Sequence, residues 1–134
     1  MAVLLGDTAI SWKSSTQKCV TTATCEAEYV ALCDASKEAL FMRAVLVFLQ
    51  PQLAWMCIDI FGDNEGAMAI ANNPSSASRS KHIDVKFHFI QGLVRSGEIR
   101  ILHVGTESQH ADILTKALWR KKFVMHRTAL MDLA

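Results

Sequence analysis

Apolar residues in this chain fall into two alternating patterns, short continuous runs that suit strands and one-sided stripes that suit helices. Val3-Leu4-Leu5 stops at Gly6-Asp7-Thr8, and Ala9-Ile10-Ser11-Trp12 resumes the apolar pattern before a polar stretch over residues 13–18. This predicts a hairpin with residues 6–8 as its turn, and Cys19-Val20-Thr21-Thr22 is a candidate to prolong its second arm. From Thr24 to about Leu49 there is no Gly or Pro and the segment is rich in Ala, Leu, Glu and Met, so one long helix is predicted, with Glu26 in its first turn and a stop before Pro51. The apolar run over residues 55–61 predicts a strand, and residues 64–72 a short helix ended by Asn72-Asn73-Pro74. Residues 74–80 are the most loop-like stretch. Ile83, Phe87, Ile90 and Val94 recur at offsets of 4, 7 and 11, the stripe of a helix that ends at Ser96-Gly97. Residues 99–104 form a second short apolar run and a predicted strand, followed by a loop over residues 105–109 and a helix starting near His110. Trp119, Phe123, Leu130 and Leu133 continue a helical stripe through the C-terminal tail, with Arg120, Lys121 and Lys122 off it.

The order is hairpin, helix, strand, helix, helix, strand, helix, with no internal repeat. Helices alternating with strands after an initial antiparallel pair indicate an α/β fold, a mixed sheet with helices on its faces. A chain of 134 residues with half its residues hydrophobic suits one modest domain with a real core. Its formal charge of +1 gives no strong overall attraction to nucleic acid, so any such binding depends on local basic patches. Cys19, Cys25, Cys33 and Cys57 form no CxxC pair, and reduced thiols in an intracellular protein, cytoplasmic or nuclear, are the expectation. Cys19 and Cys25 with His82 and His88 lack finger-like spacing, which disfavours a zinc module. No run approaches the ~18 apolar residues of a membrane span, and no membrane partner is expected.

Three acids stand where such an architecture can gather them. Glu28 lies one turn into the long helix, Asp63 directly follows a strand, and Asp112 lies in the first turn of the helix predicted from His110. Carboxylates on separate rigid elements are what magnesium requires, and paired ions can clamp the attacking and leaving oxygens of a phosphodiester. Each acid also has an ordinary explanation: Glu28 as a solvated helix-start acid, Asp63 as a helix cap, Asp112 as a complement to a helix dipole. Taken singly, the ordinary explanation is preferred.

The flanking words reverse that preference. Ala9-Ile10-Ser11-Trp12-Lys13-Ser14, Cys25-Glu26-Ala27-Glu28-Tyr29-Val30-Ala31-Leu32, Gly62-Asp63-Asn64, Ser80-Lys81-His82-Ile83-Asp84-Val85 with His88-Phe89-Ile90, and Ala111-Asp112-Ile113-Leu114-Thr115-Lys116 closely resemble the C-terminal ribonuclease H domain of copia-type LTR retrotransposon Pol polyproteins. The words run in the family's order and cover about residues 3–118. The resemblance implies a metal-dependent endonuclease that cuts the RNA strand of an RNA/DNA hybrid with four carboxylates and two magnesium ions, manganese being an alternative. It implies that Glu28 and Asp63 hold the ion that activates the attacking water, that Asp63 also helps place the substrate phosphate, and that Asp112 serves the water-side ion. Asn64, Lys81 and His82 match family positions as well, without an evident chemical role.

The resemblance also implies what this sequence does not contain. The family's first aspartate lies on a first strand upstream of the hairpin, in a segment like Ser-Asp-Ala-Asp-Trp, and Asp7 in the hairpin turn is no substitute for it. The family's strand order of 3-2-1-4-5 makes that strand the centre of the sheet, so two strand edges would lose their partners. The expectations are a truncated ribonuclease H-like domain over residues 1–118, an amphipathic helical tail over residues 119–134, an impaired two-ion site, and weak or no activity. A homo-oligomer or an upstream Pol segment could supply the missing strand. Ala117 stands where the family commonly has proline, which lets the last helix run on into the tail. That tail is expected to pack on the core, with a partner surface as the second choice.

Arg79, Lys81, Lys86, Arg95 and Arg100 cluster between the polar loop and the last strand. Asn64, Arg79, Lys81, His82 and Lys86 are the candidate nucleic-acid contacts, positioned to meet phosphates without reading sequence. His110, two residues before Asp112, is a candidate for proton transfer, with a helix-start histidine of no catalytic role as the preferred reading. The rival expectation is a non-catalytic remnant that acts as a protein- or nucleic-acid-interaction module, including a strand-swapped oligomer.

Overall fold

The computed structural model describes the backbone of residues 1–15, 24–72 and 81–131, and the side chains of these residues except 24–25, 70–72 and 81–84. The extension of the hairpin at residues 19–22 and the loop at 74–80 lie outside the described residues.

The hairpin forms as the pattern predicts. β1 (Ala2–Leu5) and β2 (Thr8–Trp12) pair antiparallel, and Gly6 takes the left-handed φ of 61° that the tight turn requires. The register passes from Val3↔Ser11 to Leu4↔Ala9, so Ile10 is the extra residue of a bulge. Ser11 Oγ donates to Glu38 Oε1 at 2.8 Å and ties the hairpin to the long helix α1 (Thr24–Leu49).

α1 has the predicted bounds, as a segment without Gly or Pro should. Its first half buries Tyr29, Val30, Leu32, Cys33, Ser36 and Ala39, and Ser36 Oγ satisfies itself by donating to the Leu32 carbonyl at 2.9 Å. Its last turns leave Phe41, Val45, Phe48 and Leu49 exposed. The next strand begins later than the apolar run suggests. Pro51, whose fixed φ suits the first position of a helical turn, opens a 3-10 segment (Pro51–Trp55), and Trp55 is 96% exposed. β3 is therefore Ile58–Gly62.

β3 pairs in parallel with β4 (Ile99–His103), from Ile58↔Ile99 to Gly62↔His103. Asp59 and Arg100 face each other on the outer surface and form a bidentate pair, with both bonds at 2.8 Å, that marks this register. Arg43 of α1 donates to the Met56 and Glu98 carbonyls and to the Glu98 carboxylate, clamping the entrances of both strands. Between the strands lie α2 (Glu65–Asn72) and α3 (Lys81–Arg95). α3 stops at Gly97, φ 74°, where Gly97 N–H donates to Val94 O and Glu98 N–H to Leu93 O, the paired closing bonds of a Schellman cap.

The core gathers Tyr29, Leu32 and Cys33 of α1, Ile60 of β3, Ala67 of α2, Phe87, Ile90 and Leu93 of α3, and Ile99 and Ile101 of β4. The alternation of β4 explains its share: Ile99 and Ile101 point inward and Arg100 outward. The mixed α/β class holds, but the described strands form two separate pairs, β1–β2 and β3–β4, rather than one sheet. Among the described residues no strand lies on the second edge of β1 or of β3.

The segment before the tail departs from expectation. A helix starting at His110 and running through Ala117 does not form. A 3-10 turn (His110–Leu114) comes instead, Thr115 leaves helical geometry at φ −134°, and α4 begins only at Arg120 (Arg120–Met131). Alanine permits continuation without compelling it, and the break lets α4 fold back against the 3-10 turn and β2. The face that α4 buries is His126 and Leu130, one turn apart, whereas Trp119 is 90% exposed and Phe123 is exposed too. The expected stripe is therefore buried at Leu130 but exposed at Trp119 and Phe123, and His126 lies on the same face between them.

Candidate functional site

The end of β3 is the best-fixed point of the site. Val104 N–H donates to Gly62 O at 2.9 Å and prolongs the ladder to the last residue of the strand. Two residues on, Asn64 Oδ1 accepts the Ala67 N–H at 3.0 Å and caps α2. Asp63 is thus held in a short turn between a closed ladder and a capped helix, and the cap is Asn64, not Asp63. Glu28 reaches the site from α1, one residue before the fully buried Tyr29. Asp112 comes from the 3-10 turn and is 7% exposed. Its backbone carbonyl takes the Thr115 and Lys116 N–H groups, and its Oδ2 accepts a charged hydrogen bond from Lys116 Nζ at 2.8 Å.

Electrostatics link the three acids. Although Glu28 reaches solvent, partial burial of its carboxyl pushes its pKa up, and Asp63 and then Asp112 add repulsion while Lys116 opposes it. The Lys116 ammonium is stabilised first by its hydrogen bond to Asp112 and then by the charges of Asp112, Asp63 and Glu28. Four groups from α1, the β3–α2 junction and the 3-10 turn therefore share one field. The donor chemistry, hard carboxylate oxygens around a resident cation, suits magnesium. The spacing does not yet make a cage: among the described residues no three His, Cys, Asp or Glu side chains come together closely enough to hold an ion.

His110 is engaged elsewhere. Its Nδ1 lies 3.0 Å from Nδ1 of His126, the rings meeting edge to face at 5.2 Å. His126 is fully buried, its Nε2 has no hydrogen-bond partner, and burial followed by the charges of His110 and Lys122 lowers its pKa. The basic set is only partly described. Arg79 lies outside the described residues, and Lys81 and His82 open α3 with side chains that are not described. Lys86 is half-buried on α3 and, after Lys37, opposes the rise that burial imposes on the Cys33 thiol. Arg100 is committed to Asp59. Of the zinc candidates, Cys19 and the Cys25 and His82 side chains fall outside the description, and His88 is exposed.

Sequence reasoning missed Lys116 and His126. Lys116 had a signal, since an acid four residues before a lysine is the ordinary i,i+4 pair. His126 had a weaker one: it fills the gap between Phe123 and Leu130 in the apolar stripe, but as a polar residue it was not counted with it.

A mixed α/β unit with small sheets and four helices among the described residues is compatible with a ribonuclease H-like fold. The chain is 42% identical over 121 residues, 90% of its length, to the "Retrovirus-related Pol polyprotein from transposon RE2" of Arabidopsis thaliana. It is 41% identical over 121 residues to the corresponding polyprotein from transposon RE1 of the same plant, and 36% identical over 118 residues to that from transposon TNT 1-94 of Nicotiana tabacum. The chain spans about 8% of the length of these curated relatives, so the similarity is to one segment of each polyprotein. No family model and no solved structure matches it.

Proposed function

We propose that this chain is a ribonuclease H-like segment of a copia-type Pol polyprotein, that Glu28, Asp63 and Asp112 hold divalent magnesium or manganese, and that its substrate is the RNA strand of an RNA/DNA hybrid. The observation that carries this reading is the Lys116–Asp112 ion pair at 2.8 Å, whose lysine also feels the charges of Asp63 and Glu28, at positions that match the family's words in a chain 42% identical over 121 residues to a Pol polyprotein. A bound ion of this kind activates water and neutralises charge that builds on the phosphate. The chain's own contribution is placement. The ladder and the Asn64 cap fix Asp63, the 3-10 turn buries Asp112, and the packing of Tyr29 anchors the turn that bears Glu28.

Three carboxylates hold a pair of ions less well than the four that the resemblance implies, so cleavage that relies on these three acids alone is expected to be weak. The test is a hybrid-cleavage assay with magnesium, on the 134-residue chain and on the chain fused behind the preceding Pol segment of a relative. The expected outcome is little cleavage by the chain alone and at least about a hundredfold more by the fusion, abolished by Asp63→Asn. A fusion that does not cleave, or one that cleaves equally well when it carries Asp63→Asn, overturns the reading. Robust cleavage by the chain alone overturns the weak-activity claim.

One observation favours the second reading, an interaction module. β1 and β3 each present an edge with no strand partner among the described residues, and such edges accept strands from other chains. Sedimentation over a range of concentrations distinguishes them: strand exchange requires self-association that rises with concentration, and an invariant monomer excludes it.

A further inference from the structure

Lys116 pairs with one of the acids that the metal reading assigns to a cation, and the role inferred for this lysine rests on that reading. Its Nζ is 2.8 Å from Asp112 Oδ2, and Asp63 and Glu28 attract the same ammonium. The two partners of this bond are unequal. The Asp112 side chain is 9% exposed and that of Lys116 52%, so the acid is desolvated while the lysine is half in water. A buried carboxylate stripped of its cation is costly, whereas a flexible lysine stem can swing its ammonium into solvent at little cost. The i,i+4 spacing returns the ammonium to Asp112 whenever nothing else neutralises that acid.

We propose that Lys116 is a built-in counter-ion that occupies the carboxylate cluster of the metal-free chain and competes with the divalent cation for it. Metal binding then requires the ammonium to leave Asp112. The lysine weakens metal affinity and in return keeps three like charges from repelling one another when no metal is present.

The experiment is calorimetric titration of the 134-residue chain with manganese, using wild type, Lys116→Met, Lys116→Arg and Asp63→Asn. Lys116→Met keeps the length of the side chain and removes its charge, and is expected to bind manganese about three- to tenfold more tightly than wild type, while Lys116→Arg stays within about twofold of wild type. Equal or weaker binding by Lys116→Met, when wild type binds and Asp63→Asn does not, overturns the counter-ion role and leaves the site reading intact. Binding by none of the chains, or binding that Asp63→Asn leaves unchanged, overturns both. A second readout is the NMR signal of the Lys116 ammonium, which a hydrogen bond shelters from exchange with water. It is expected in the metal-free chain and should vanish with saturating magnesium; its persistence overturns the displacement.

Discussion

Replacing Asn64 with alanine removes a side-chain bond that closes the turn carrying Asp63. The lost bond is Asn64 Oδ1 to Ala67 N–H, 3.0 Å, at the head of an eight-residue helix. Loss of an N-cap costs about 1 kcal/mol in typical hosts, within a range of about 0.5–2. The upper half of that range is expected here, because Ala67 is buried in the core and its N–H has little access to replacement water. For a domain of this size about 1.5 kcal/mol lowers the melting temperature by roughly 4–6 °C. Asn64→Asp keeps the cap, since aspartate caps as well as asparagine, but adds a negative charge beside Asp63. The metal-free Asn64→Asp chain should therefore fall between wild type and Asn64→Ala, and millimolar magnesium should raise its stability more than it raises that of wild type. Urea unfolding followed by circular dichroism, with and without magnesium, measures all of this. An Asn64→Ala chain as stable as wild type would show that the asparagine does not hold the turn, and would return it to the candidate nucleic-acid contacts.

Three further outcomes rest on the same contacts. The raised pKa of Glu28 means that the folded chain holds its proton to higher pH than the unfolded chain does, so stability is lost as pH rises through that window; Glu28→Gln should remove the loss and gain about 0.5 kcal/mol near neutral pH, a small figure because solvent screens the group, as urea unfolding between pH 4 and 7.5 can check. His126 has the opposite sign: its folded pKa is lowered from 6.5, so wild type loses stability as pH falls below that value, and His126→Leu should be the less acid-sensitive chain in melting curves at pH 7 and pH 5. Ile101→Ala opens a cavity beside Phe87, Ile90 and Ile99 and should cost about 2–4 kcal/mol in the same unfolding assay; a loss under about 1 kcal/mol would mean that the core is not packed as described.

Most single elements were legible in the sequence because local signals set them. α1 keeps its predicted bounds because nothing in it interrupts a helix, and α3 ends where Gly97 can take a left-handed φ. What depends on distant contacts was less legible. The start of β3 shifted because Pro51 turned part of an apolar run into a 3-10 segment, leaving Trp55 in solvent. The two separate strand pairs reflect which edges meet, which no local pattern encodes. The break after Leu114 depends on α4 docking through His126, a polar residue that a hydrophobic stripe passes over. The site divides in the same way. Its three acids could be read from their flanking words, whereas the lysine among them, the cap at Asn64 and the histidine pair are products of packing.

The most direct measurement of the proposed metal site is residue-resolved. Trace manganese added to isotopically labelled chain broadens the amide signals of residues near the ion. The expected result is selective loss of the signals around Glu28, Asp63 and Asp112, reversed by excess magnesium and absent in Asp63→Asn. Broadening centred elsewhere, or none at manganese concentrations equal to that of the protein, would contradict a divalent-metal centre at these three acids.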